Sequence, residues 1–302
     1  MTKPNFIICG SSASGTSFLT AGMVNHPEIY LPKKMRPEPH YFYKSWEFQK
    51  PFKEYYLKKY FSNVKNEIAI GERSSSYMFG DKVPSRMQKV LPSAKLIFIL
   101  RNPIERAYAN YRYTVLEGLE PHTFSYSLKI EKERVKNQKG IWAEIQPYNY
   151  TGRGFYYKQL KNFLKFYPRE QMLILKSESF GKNIQTDFKE IFNFLNVSPD
   201  FKVQRPPKFS SLSVLDPYLQ VRLREYFKEK FDLIVEAIRK NEDTDKFLET
   251  KKDYDNLSLM KQNLKSNKSS INQGDRSYLQ SLYKDEIKKL QQLVTFDLSD
   301  WN

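Results

Sequence analysis

FIICGSSASGTSFL, residues 6–19, decides how the fold is read. Phe6, Ile7, Ile8 and Cys9 make a short apolar run of strand length, stopped by the glycine- and serine-rich GSSASG. The following TSFLTAGMVNH reads as a helix that ends before Pro27. Strand, glycine turn and helix in that order predict an α/β unit. Glycines permit the tight turn, and successive amides at a helix N-terminus can face an anion. Gly10, Ser12, Ser14, Gly15, Thr16 and Ser17 are therefore candidate phosphate-binding residues. A nucleoside-triphosphate loop has the same glycine spacing but carries Lys where this chain has Thr16, which argues against an ordinary ATPase or kinase.

Working outward, AKLIFIL at residues 94–100 is an apolar run bounded by PS and RNP, the pattern of an interior strand covered on both faces. IAIGE at 68–72 and MLILKSESF at 172–180 supply further strands. Helices are expected at EYYLKKYF (54–61), after Asn102-Pro103, in GFYYKQLKNFLKFY (154–167) and in DFKEIFNFLNV (187–197). PYLQVRLREYFKEKFDLIVEAIRK (217–240) reads as one long helical stretch, and YLQSLYKDEIKKLQQL (278–293) as another helix. The polar 241–276 segment reads as an insertion, a cover or a linker. One domain over residues 1–302 is expected, with 203–275 as a variable insertion or substrate cover.

The chain has 302 residues, 40% hydrophobic and 15% aromatic, enough to bury a large core and too apolar for disorder. A net charge of +16 suits phosphate, sulfate, an acidic polymer or an anionic membrane equally, so peripheral membrane association stays open. No compact basic repeat or nucleic-acid module accompanies the charge, so no specific nucleic-acid partner is expected. With a single cysteine, Cys9, and three histidines, neither an intrachain disulfide nor a metal site is expected. No leader-like or membrane-spanning run is read, and a cytoplasmic protein is the expectation.

A second anion corner is expected at RNPIER, residues 101–106, because ligands of open α/β sheets gather outside strand carboxyl ends. Arg101 can hold a phosphate there through paired hydrogen bonds, while Glu105 and Arg106 read as structural. Together FIICGSSASGTSFL, NHPEI, PEPHYF, GERSSSYMF, KLIFILRNPIERAYANY, GFYYKQLKNFLKFYP and DLSDW (297–301) carry a resemblance. Their order and spacing resemble the nucleotide-dependent sulfotransferases, nearest the heparan sulfate glucosaminyl branch and its bacterial relatives.

That resemblance implies an α/β, P-loop-like three-layer fold with a central, mostly parallel sheet and a helical C-terminal extension. It implies 3′-phosphoadenosine 5′-phosphosulfate as donor, sulfuryl transfer to a hydroxyl or amine, a carbohydrate acceptor and no metal. The first loop then holds the 5′-phosphosulfate end and Arg101 the 3′-phosphate; Ala109 stands where the family has Ser, and Lys208 in RPPKFSS weakly matches a later phosphate ligand. Glu38 falls at the family carboxylate, the general-base candidate, with His40 as an orienting group or alternative base and Glu72 as a positioning group or second base. Relatives commonly have Lys or Arg at Ala13; Arg73 is the leading substitute cation, with Lys34 and Arg36 behind it. A catalytically weak nucleotide or polyanion binder, and a sulfotransferase acting on a small alcohol or phenol, are the alternative readings.

Overall fold

Five consecutive residues, Phe6–Gly10, form strand β1, and all five are buried, as a strand flanked on both faces requires. The computed structural model describes residues 2–32, 38–206, 212–265 and 270–301. Strands β2 (Ile29–Tyr30), β3 (Ala69–Arg73), β4 (Lys95–Leu100) and β5 (Met172–Lys176) join β1 in one sheet. The order is β2-β3-β1-β4-β5 and every pairing is parallel. Phe6 stands opposite Gly71 on one side and Lys95 on the other, so β1 lies at the centre.

The chain leaves β1 toward one edge through helix α1 (Thr16–Met23) and returns through β3, then crosses to β4 on the opposite side. That reversal brings the carboxyl ends of β1, β3 and β4 together, where such sheets bind ligands. One face of the sheet is sealed by apolar side chains from α1 and the helix Ile184–Leu195, among them Leu19, Met23, Phe188, Ile191 and Phe192 packed on Phe6, Ile8 and Ile97.

The backbone forms two compact units: residues 1–106, 153–206 and 282–302 make the first, and residues 107–152 and 207–281 the second. Helix α2 (Pro103–Leu116) contributes residues 103–106 to the first unit and its remainder to the second. The second unit is helical apart from a short antiparallel pair, Ser213–Val214 with Leu264–Lys265. Its core gathers Leu116, Leu223, Phe231, Ile234, Leu257 and Met260.

The 217–240 stretch is two helices, not one. Pro217–Phe227 stops at Lys228, whose φ of 47° breaks the α-helical path, and Phe231–Lys240 follows a single 3-10 turn. The polar 241–276 segment contains the helix Lys251–Asn263, started by a Thr250/Asp253 capping box and anchored by buried Leu257 and Met260. Among the described residues no helix is long and apolar enough to cross a membrane. Lys34, Arg36 and Lys208 lie outside the described residues.

Candidate active site

The loop between β1 and α1 turns through three left-handed positions: Gly10 at φ 141°, Ala13 at 64° and Gly15 at 98°. Gly10 has to be glycine. A Cβ there would sit 2.6 Å from the Ser75 carbonyl oxygen and 3.1 Å from the Met78 Cβ. Gly15 is the N-cap of α1, and no side chain caps that helix. The amides of its first turn have no intrahelical acceptor and carry the positive end of the helix dipole. The loop therefore fits an anionic group such as a phosphate.

Hydroxyls reinforce the cradle. Ser11 Oγ and Ser14 Oγ are 2.6 Å apart, and Ser12 Oγ donates to the Ser75 carbonyl at 3.1 Å. A further link is at Ser17, whose Oγ accepts from Arg73 Nη1 at 2.6 Å. Arg73 is 4% exposed, and its Nε lies 3.1 Å from Glu38 Oε1. One guanidinium thus joins the first turn of α1 to a carboxylate.

Glu38 is closely held. Its Oε2 accepts from the Ser75 amide at 2.7 Å and from Ser75 Oγ at 2.8 Å, and lies 3.4 Å from His40 Nε2. Those three contacts occupy Oε2, whereas Oε1 meets only Arg73 among these partners and keeps capacity for a further donor. His40 itself sits at φ 50°, with its amide bonded to Ser74 Oγ at 2.9 Å. Burial pushes its imidazole down to about 4, with the Arg153 and Arg73 charges acting in the same direction. A neutral ring that presents Nε2–H to Glu38 leaves Nδ1 as an acceptor, and among the described residues no donor reaches that buried atom.

Glu72 and Arg73 are consecutive in β3, but their side chains turn apart. Successive strand residues point to opposite faces, so the carboxylate on Arg73 is Glu38 rather than Glu72. Glu72 is fully buried, its carboxylate taking hydrogen bonds from Tyr56 at 3.1 Å and Ser74 at 2.9 Å. Burial pushes it up to about 7. Ser74 Oγ then accepts from the His40 amide, and Tyr77 Oη accepts from the neighbouring Phe42 amide at 3.3 Å.

The second anion corner adjoins the first. Arg101 Nη1 donates to the Ala13 carbonyl at 3.2 Å, and Tyr156 Oη donates to the Arg101 carbonyl at 2.9 Å while lying 3.4 Å from Ser11 Oγ. Arg101 is thereby tied to the β1–α1 loop at Ala13, two residues before Gly15. Asn102 starts α2 by accepting from the Ile104 amide at 3.0 Å. Arg153, buried with its guanidinium 4.5 Å from the centre of the Phe79 ring, adds positive charge near His40.

Of the residues chosen from sequence, Gly10, Ser12, Ser14, Gly15, Thr16, Ser17, Glu38, His40, Glu72, Arg73 and Arg101 all fall in this first unit, around the carboxyl ends of β1, β3 and β4. Ser74, Ser75 and Tyr156 were not singled out, although each lies within a quoted motif. Nothing in a single sequence marks a serine or tyrosine as the link between two distant loops.

Residues 3–292 match the family model described as Sulfotransferase domain. The chain belongs to that family. It is 30% identical over 197 residues to heparan sulfate glucosamine 3-O-sulfotransferase 5 of Mus musculus, covering 65% of this chain and 54% of that protein. It is 26% identical over 211 residues to the human bifunctional heparan sulfate N-deacetylase/N-sulfotransferase 2, covering 68% of this chain and 23% of that protein. The chain thus spans about half or less of these relatives. A sulfotransferase from Alicyclobacillus acidocaldarius has the same fold, with a TM-score of 0.71, 23% identity, and 100% of this chain and 99% of that one aligned. The sulfotransferase domain here is therefore α/β with an all-parallel five-stranded sheet.

Two buried titrating groups of this sulfotransferase domain, Glu72 and His40, oppose one another in pH. Glu72 binds a proton more readily folded than unfolded, so its contribution is full below pH 4.5 and falls away as pH rises toward 7. His40 resists protonation when folded, so its contribution is full above pH 6.5 and falls away as pH drops toward 4. Relative to wild type, Glu72→Gln should gain stability as pH rises through the first window. His40→Gln should gain it as pH falls through the second. Each change should be on the order of 3 kcal/mol. Melting temperatures of the three proteins across pH check the signs, and parallel curves would exclude burial as the cause.

Proposed function

We propose that this sulfotransferase domain moves a sulfuryl group from 3′-phosphoadenosine 5′-phosphosulfate to an acceptor hydroxyl or amine on a carbohydrate. The observation that carries the reading is Arg73, which holds Ser17 at the start of α1 and Glu38 at once. An anion cradle, a cation and a carboxylate then converge on one point, as sulfuryl transfer needs. The donor supplies an electrophilic sulfur and a phosphate leaving group.

The chain's own groups take distinct parts. The loop amides and Ser12, Ser14, Thr16 and Ser17 hold the 5′ end, and Arg101 holds the 3′-phosphate. Arg73 offsets the negative charge that develops on the departing oxygen, replacing the basic residue missing at Ala13. Glu38 removes the acceptor proton through Oε1, with His40 and Ser75 fixing its orientation. Glu72 acts through Ser74 as a prop for the His40 backbone. Residues 203–275 select the acceptor, and a cytoplasmic setting with contact to an anionic surface suits the +16 charge.

Ala13 favours a second reading, a nucleotide binder of low turnover, because its carbonyl is engaged by Arg101 and its side chain offers no charge. Calorimetric titration separates nucleotide recognition from turnover. The protein should bind 3′-phosphoadenosine 5′-phosphate at least tenfold more tightly than adenosine 5′-phosphate, and Arg101→Ala should erase most of that preference. Equal affinity for the two nucleotides would end both readings. Transfer to a panel of sugars, alcohols and phenols then decides between the active enzyme and the silent binder, and names the acceptor class.

A further inference from the structure

The phenol of Tyr156 is the hinge on which both anion corners hang. It donates to the Arg101 carbonyl at 2.9 Å and lies 3.4 Å from Ser11 Oγ, which in turn is 2.6 Å from Ser14 Oγ. A phenol oxygen 1 or 2 Å out of place would free both the loop and the arginine. Something has to fix its ring.

Trp301 does so. The two ring centres are 6.2 Å apart, and each residue is 1% exposed. The indole is held in turn by its own segment. Lys176, the last residue of β5, donates from Nζ to the Asp297 carbonyl at 2.8 Å and to Asp300 Oδ1 at 2.6 Å. Its neighbour Ser177 is tied to the end of β4 by a hydrogen bond that its amide donates to the Leu100 carbonyl at 2.7 Å. Residues 297–301 are thereby clasped to the same strand ends that carry the site. Among the described residues no acceptor meets Trp301 Nε1, a buried donor. The contact that the indole makes toward the site is its packing beside Tyr156.

We infer that Trp301, clasped by Lys176, is a positioning residue for the β1–α1 loop, setting the Tyr156 phenol that joins Ser11 to Arg101. The consequence for nucleotide affinity rests on the proposed function; the consequence for the loop does not.

Both are measured on the full chain with Trp301→Ala, Trp301→Phe, Tyr156→Phe and Lys176→Met. Amide hydrogen exchange over residues 11–16 should be at least tenfold faster in Trp301→Ala and Tyr156→Phe. Dissociation constants for 3′-phosphoadenosine 5′-phosphate should rise at least tenfold in the same two proteins. Trp301→Phe keeps an aromatic ring but gives up part of the indole's bulk, so it should fall between wild type and Trp301→Ala in both measurements. Lys176→Met should shift exchange in the same direction by a smaller factor, and it carries the test if Trp301→Ala does not fold. Wild-type exchange over residues 11–16 in folded Trp301→Ala, or in Lys176→Met where the alanine variant fails, overturns the inference. If wild type binds neither nucleotide, the proposed function falls while the exchange data still decide the brace.

Discussion

Replacing Arg73 with alanine should cut sulfuryl transfer by about 10²–10³-fold, the range found when a single donor to a developing oxyanion is removed. Three features of its setting make the effect large. The guanidinium is almost fully buried, so water does not screen its charge. It bridges Ser17 at 2.6 Å and Glu38 at 3.1 Å, and both partners would lose their geometry together. With Ala at position 13, that loop residue supplies no side-chain cation of its own.

Removing one member of a buried ion pair also costs about 3–5 kcal/mol of stability, because the other charge is left uncompensated. Arg73→Lys avoids most of that cost. It preserves the charge but lacks the planar fork that reaches two partners at once. It should therefore fold and still lose turnover, by roughly tenfold or more, with nucleotide affinity little changed. Single-turnover rates of the folded lysine variant at saturating donor are the deciding measurement. A wild-type rate would remove Arg73 from the proposed chemistry.

Glu38→Gln should lower turnover by about 10²–10⁴-fold, the span ascribed to general acid–base catalysis, while leaving the affinity for 3′-phosphoadenosine 5′-phosphate within about twofold. The substitution keeps size and shape but cannot take a proton. Its amide would also set a donor against either the Ser75 amide or Arg73 Nε, both of which now donate to Glu38 or face it. A moderate fall in melting temperature is expected for that reason, and activity has to be read well below the transition. Retained turnover would remove Glu38 as the base and leave His40, whose Nδ1 meets no donor among the described residues, as the group to test next.

The reading from residues succeeded where local chemistry is sufficient. FIICG had to be an interior strand because every one of its residues is apolar or small, and β1 is buried along its whole length. GSSASG had to turn, and its three left-handed positions include both glycines. AKLIFIL and MLILK became adjacent parallel strands, with Leu96 opposite Met172 and Leu100 opposite Lys176. Helix periodicity proved less complete. The helix Phe124–Asn137 went unread because its buried side, Phe124, Ser127, Leu128 and Glu131, mixes apolar with polar residues. The 217–240 stretch carried no glycine or proline at its break, so only the backbone at Lys228 revealed two helices.

Sequence by itself determined the strand–glycine turn–helix unit, the parallel α/β class and the residue types from which a site could be assembled, because each depends on neighbours a few positions apart. Tertiary structure alone decided the partnerships. Glu38 pairs with Arg73, 35 positions away along the chain by their numbering, while adjacent Glu72 turns to the opposite face and is buried beneath hydroxyls. Tyr156 joins Ser11 to Arg101, and Trp301 backs Tyr156. Contacts of that kind arise when strand pairing brings remote segments to one edge of a sheet, and side-chain alternation along each strand then selects which of two neighbouring residues faces the site.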